Sequence, residues 1–354
     1  MDTDAKATVK VPVAVILASL VIVIAGMKAA SSLLVPLFVA LFIAVVCISP
    51  LFWMQRKGVP RVIAVIIILL VILFLGLAFG ALIGPSLNQF LSSLPGYQEQ
   101  LSDHLTNLIS WLRTKGIHIS AKDLPRVQPG WVMSFAGGIF SALSSVLTNG
   151  FLILLTVVFI LLEAEYFPQK LRVLLKNPDR SMHAIEKFAL SARRYLIIKT
   201  IVSAATGLVI WLWLLILGVD YPVLWGTLAF VLNFVPNIGA VISALPAALL
   251  ALVQLGVGHA LLTILAFITV HIVIGNIIEP KITGKGLNLS TLVVFISLVF
   301  WGWVLGPIGM ILSVPLTNLL KIALESSEET TRYSVLLGSH EEVKTSVVQS
   351  SRAD

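Results

Sequence analysis

Charge is what this sequence has least of. Only 12% of its 354 residues are Asp, Glu, Lys or Arg, against about 25% in a soluble domain. Hydrophobic residues make up 58% and the mean hydropathy is +1.01, which excludes a water-soluble globular protein. Cysteine is the next shortage. Cys47 is the only one, which excludes an intrachain disulfide framework and any cysteine-based metal site. It sits in an apolar run and reads as a small buried or lipid-facing residue. The short apolar–polar alternation of a membrane β-barrel is missing. So are a His-Glu-x-x-His pair, a nucleophile-elbow serine, a phosphate-binding glycine loop and paired intramembrane aspartates. No enzyme activity, cofactor or metal is therefore expected, and ATP-driven pumping would need a partner chain. The net charge of +7 comes from basic residues in short loops, where they orient membrane helices; no nucleic-acid partner is expected. What remains is an all-α polytopic membrane protein.

Taken in order, Lys6 and Lys10 precede an apolar run from Val11 to Met27. Ala29-Ala30-Ser31 could mark signal cleavage, but a second span from Ser32 to about Phe52 follows at once and favours a retained first helix. Arg56, Lys57 and Arg61 mark a cytoplasmic turn, so the N-terminus is expected inside. The third span, Val62 to Ile83, is expected to end at Gly84-Pro85. Leu87, Leu91, Leu94, Leu101, Leu105, Leu108 and Leu112 then recur at helical spacing among polar residues. They predict an amphipathic region broken at Pro95-Gly96 that rests on the membrane or packs on a neighbouring subunit. His104 and His118 read as solvated. A Gly/Ser/Ala-rich stretch, Trp131 to Ser145, leads into a span from Val146 to Leu162. The densest basic segment follows, from Lys170 to Lys199. It reads as a positive-inside loop, with a gate or lipid-contacting helix as the alternative. The domain reading is 1–85 for three N-terminal spans, 86–130 for the extracytoplasmic amphipathic region, and 131–200 for the fourth span and basic segment. A transport core occupies 201–324, and 325–354 forms a polar, partly disordered cytoplasmic tail.

Within that core two apolar runs are interrupted in the same way. Pro236-Asn237-Ile238-Gly239, followed by Ser243 and Pro246, is echoed by Pro307-Ile308-Gly309, followed by Ser313 and Pro315. The 33 residues from Pro222 to Gln254 would measure about 50 Å as one helix, too long for a core about 30 Å thick. Two half-helices meeting near Pro236 and Gly239 fit that length. The predicted architecture is about six full transmembrane helices plus two Pro/Gly-broken re-entrant hairpins, or eight spans if the breaks are only kinks. Paired broken segments point to a transporter's binding site, although Gly and Pro also make ordinary membrane-helix kinks and turns.

Polar groups at membrane depth are costly and so are candidates for a solute path. Pro236, Gly239, Pro307 and Gly309 would supply the helix breaks. Asn233, Asn237, Ser243, Asn276 and Ser313 would supply hydrogen bonds; the plainer role of Asn237 is turn chemistry. Glu279 and His271 are candidates for ion or proton coupling, being eight residues apart on one expected helix. A carboxylate at the membrane boundary paired with Lys281 is the simpler reading of Glu279.

Four segments carry a resemblance: Phe234-Val-Pro-Asn-Ile-Gly239, Gly275-Asn-Ile-Ile-Glu-Pro-Lys-Ile282, Gly284-Lys-Gly-Leu-Asn-Leu-Ser-Thr291 and Phe300-Trp-Gly-Trp-Val-Leu-Gly-Pro-Ile-Gly309. They resemble the AI-2E family of membrane transporters, and the order of segments follows that family over roughly residues 10–325. The resemblance implies export of autoinducer-2, a small furanone-like diol signal, from a bacterial inner membrane. It also implies a homo-oligomer, with a pentamer as the expected form. Other members look like sodium or lithium/proton antiporters. A third class, a non-transporting scaffold acting through the amphipathic and basic segments, would need neither break.

Overall fold

Long apolar runs can satisfy their backbone in lipid only as helices or closed barrels, and every long run here is helical. The computed structural model describes residues 13–114, 138, 141, 148–167, 170, 172, 178–236, 238–283, 289–326, 330 and 334–338. The helices are α1 (Val13–Ala29), α2 (Ser31–Arg56), α3 (Arg61–Thr114), α4 (Gly150–Glu163) and α5 (Pro178–Leu217). They are followed by α6 (Pro222–Leu232), α7 (Gly239–Leu255) and α8 (Val257–Val270). A π-helical turn, His271–Ile278, runs into the short α9 (Glu279–Thr283); α10 (Thr291–Leu305) and α11 (Pro307–Ser326) close the series. Five segments are long and apolar enough to cross a membrane: Ser31–Arg56, Arg61–Tyr97, Ala189–Leu217, Val257–Ile282 and Pro307–Glu325. The remaining apolar helices, including α6, α7 and α10, are shorter. This is an all-α polytopic membrane protein.

Each interrupted run is a hairpin of two helices. Along one straight helix Leu232 and Gly239 would lie about 10 Å apart, and Trp301 and Gly309 about 12 Å. Instead a Cβ at 239 would overlap the carbonyl oxygen of Leu232, and one at 309 the carbonyl oxygen of Trp301. The chain has folded back on itself at both breaks. The arms are unequal: α6 and α7 have 11 and 17 residues, α10 and α11 have 15 and 20. At about 30 Å, α11 alone is long enough to cross.

Two expectations change. α3 runs for 54 residues straight through Pro85 and Pro95; neither ends the helix. A proline removes one backbone hydrogen bond and strains one turn, but α3 is held from outside. Ile83 and Phe90 are buried against Ile210, Trp225 and Leu228, with Leu87 and Leu94 packed on the same cluster. Leu87 and Leu94 thus face the first hairpin, while the side chains of Leu101, Leu105, Leu108 and Leu112 lie outside the described residues. Likewise, the basic segment from Pro178 onward is no loop but the first part of α5, a 40-residue helix. Its Ala192 and Leu196 pack against α10 and α11. The Gly/Ser/Ala-rich stretch falls almost wholly outside the described residues.

Another close helix contact joins α5 to α6. A Cβ on Gly207 would lie 2.7 Å from the Gly226 carbonyl oxygen, and one on Gly226 2.6 Å from Trp211 Cβ. Small residues allow this approach where lipid supplies no hydrophobic drive between helices. At the basic end, Arg61 Nη1 donates to Glu165 Oε2 at 3.3 Å, and Nη2 donates to the Leu161 carbonyl at 3.0 Å. That guanidinium caps the negative end of α4, so α3 starts where α4 finishes. Part of the tail also returns: Gly338 bridges Leu289, and the Ser290 amide donates to the Leu337 carbonyl at 3.2 Å.

Candidate functional site

The first hairpin turns through Asn233–Ile238. Asn233 closes α6 with helical dihedrals, and its Nδ2 donates to Ser203 Oγ on α5 at 2.9 Å. Ser203 is fully buried, so this amide binds the hairpin to α5. Pro236 is half-buried in the turn, while Asn237 lies outside the described residues. The second hairpin reverses at Gly306, whose φ of +73° is a glycine conformation. Pro307 then opens α11 at the position where its missing N–H costs least. The sequence reading had passed over Gly306.

The two serines take matching positions. Ser243 Oγ donates to the Ala240 carbonyl at 3.0 Å and Ser313 Oγ to the Met310 carbonyl at 2.8 Å. Both side chains are buried, three residues beyond their acceptors. Each hydroxyl proton is therefore used within its own helix, leaving only oxygen lone pairs for a solute. The breaks also meet through carbon. Val235 and Ile238 of the first share one apolar cluster with Leu298, Met310 and Ile311 of the second, and Ile274 of the π-helical turn joins them.

Glu279 follows that π-helical turn. Its carboxylate is held by Lys199 of α5, with Nζ donating to Oε1 at 2.7 Å and Oε2 at 2.9 Å. Lys281, the partner expected from proximity, is exposed. His271 and Asn276 stand on the π-helical turn, half-buried and exposed. Its i→i+5 bonding widens each turn, so the face-sharing expected of an α-helix over eight residues does not carry over.

Three further polar features stand out in the bundle. Lys199 is one, at 7% exposure. The second is a cluster at the far end of the bundle, where Tyr97 Oη donates to Asp220 Oδ2 at 2.9 Å and Gln254 Nε2 donates to both. The Asp220 amide in turn donates to Gln254 Oε1 at 3.1 Å, and Tyr221 Oη donates to Ser93 Oγ at 3.0 Å. The third is Asn318 on α11, only 3% exposed, whose Nδ2 has no hydrogen-bond partner. A buried amide N–H without an acceptor is destabilising unless a water or a solute oxygen meets it. Asn318 and Gln254 are legible in the sequence as polar side chains in apolar runs, candidates at membrane depth; the roles of Lys199, Tyr97 and Asp220 are not, since their partners lie far apart in sequence.

The arrangement is one of glycine-hinged hairpins around apolar carbon, with the buried Asn318 amide, the half-buried Asn233 amide and the Lys199–Glu279 ion pair among its polar groups. The profile described as AI-2E family transporter matches residues 17–329. This chain belongs to the AI-2E transporter family. It is 41% identical over 326 residues to the AI-2 transport protein TqsA of Escherichia coli K12, covering 92% of this chain and 95% of that one. It is 40% identical over 323 residues to the putative transport protein YhhT of the same organism, covering 91% and 93%. A putative transport protein of Haemophilus influenzae is 36% identical over 335 residues, covering 93% and 96%. The profile spans both hairpins and the π-helical turn of this AI-2E transporter.

Proposed function

We propose that this AI-2E family member is a secondary transporter that moves autoinducer-2 outward across a bacterial inner membrane, through a path formed where its two hairpins meet. The observation that carries the reading is the shared apolar cluster of the two breaks, each with a glycine at which a Cβ would overlap backbone of the opposing arm. Paired, interrupted helices expose backbone N–H and C=O groups that a small diol can use in place of water. Asn233, Pro236, Asn237, Gly239 and Ser243 contribute the first wall, with Asn276, Pro307, Gly309 and Ser313 opposite. The buried Asn318 amide adds a donor. The likeness to an AI-2 transport protein supports the solute. Both termini face the cytoplasm in this reading, which the cluster of Lys57, Arg61 and Lys170 at one end of the bundle supports under the positive-inside rule. A homo-oligomer, a pentamer in the form we favour, would cover part of the apolar surface left on single helices, such as Phe74 at 70% and Ile216 at 79% exposure.

Glu279 supports a second reading, a sodium or lithium/proton antiporter with His271 assisting, because its half-buried carboxylate directly follows the π-helical turn that carries His271. Proteoliposomes loaded with autoinducer-2 and a pH-sensitive dye separate the two. Signal release above empty liposomes, with no sodium-triggered dye response, is expected. A sodium-triggered proton flux without signal release would replace the exporter by the antiporter, and no flux of either kind would sink both.

A further inference from the structure

We propose that Lys199 is a positioning residue that holds the second half of the Val257–Ile282 segment in its π-helical register, and that the Lys199–Glu279 pair must break for that half to turn. The proposal rests on the transporter reading above. A π-helix of eight residues is rare and poorly bonded, and such strain persists only where the surroundings enforce it. Packing enforces it only in part: none of His271–Ile278 is buried, although Ile274 packs on the apolar cluster of the first hairpin. What is fixed is the end. Glu279, the first residue after the turn, is gripped through both carboxylate oxygens by Lys199.

Lys199 is itself well anchored. It lies one helical turn before Ser203, which is bonded to Asn233, and two before the close crossing of Gly207 with Gly226. The first hairpin, α5 and the ammonium therefore form one support, and the π-helical turn is strained against it. Gly275 fits the same picture: a Cβ there would come within 3.2 Å of His271 Nδ1, so the ring lies folded over the glycine within the widened turn.

Relaxation from i→i+5 to i→i+4 bonding removes the extra residue from the turn. Everything beyond it rotates by about 100° and shifts by about 1.5 Å, one residue step of an α-helix. Asn276 and Glu279 would change faces, and the segment leading into α10 would be carried along. Two discrete registers of one element, biased by one charge pair, make a bistable switch.

The test reads geometry without any solute. In a Cys47→Ala background, spin labels on Leu190→Cys (α5) and Ile282→Cys (α9), both exposed, report the distance across the pair. Glu279→Gln and Lys199→Met are expected to move the main population by roughly 5 Å or more, the arc of a 100° turn at side-chain radius. Lys199→Arg, which keeps the pair, and the double swap Lys199→Glu/Glu279→Lys are expected to restore the original distance. An unchanged distance in the single variants overturns the proposal. If those variants fail to insert, the swap decides: recovery of the native distance supports the pair, and a shifted population overturns it. Absence of any flux from the unaltered protein would sink the exporter reading while leaving this distance test standing.

Discussion

Gly239 and Gly309 act by the volume they leave empty. At each, a methyl group would overlap a carbonyl oxygen of the opposing arm, and backbone cannot step aside as a flexible side chain can. Overpacking of this kind costs about 1–3 kcal/mol or more. Gly239→Ala and Gly309→Ala are thus expected to lower the thermal midpoint in detergent by several degrees. Gly258→Ala, with open space around it, should leave it unchanged. Asn233→Ala is expected to destabilise by about 1–3 kcal/mol by orphaning the buried Ser203 hydroxyl, and Ser203→Ala should remove much of the added effect of a second change at Asn233. Ser243→Ala and Ser313→Ala should each stay within about 1 kcal/mol of the parent and preserve flux, because each hydroxyl already bonds its own helix. A large flux loss in either serine variant would mean that the solute competes for that hydroxyl.

The long apolar runs, their interruptions and the existence of two hairpins were legible in the sequence, because Pro, Gly and length against bilayer thickness are local quantities. The continuity of α3 was not. Gly84-Pro85 and Pro95-Gly96 carry the usual marks of helix ends, and only packing of Phe90 on Trp225, with ring centroids 5.1 Å apart, shows why the helix persists. The π-helical turn has no sequence code, and the ion pair joins residues 80 apart, beyond any spacing argument. The far half of α3 is also held by the Tyr97–Asp220–Gln254 cluster. Gln254→Ala should therefore speed amide exchange in α3 beyond Ile83 by roughly tenfold, the equivalent of one hydrogen bond to a charged group. Exchange in α2 should not change; equal acceleration in both would mean general destabilisation in place of a local clasp.

Across the whole molecule, α5 is the common support. It touches α2, α6, α8, α9 and α11, so both hairpins and the strained turn are referred to one 40-residue helix. α3, at about 80 Å, reaches well past a bilayer about 30 Å thick, and its far half is clasped to the first hairpin among the described residues. The second hairpin is tied at its base by the backbone bridge of Leu289 to Gly338 and the bond from Ser290 to Leu337. Residues 289–338 therefore form a ring of chain, shut by a backbone bridge and a backbone hydrogen bond. Opening a ring restores the loop entropy that its closure removed, and a stop codon after Thr330 would open this one while leaving α1 to α11 intact. The shortened protein should show earlier proteolysis at the start of α10, where Ser290 caps the helix, while α5 and α6 keep their protection. A chain end that reads as a dispensable tail thus becomes the knot that keeps one of the two hairpins from unravelling.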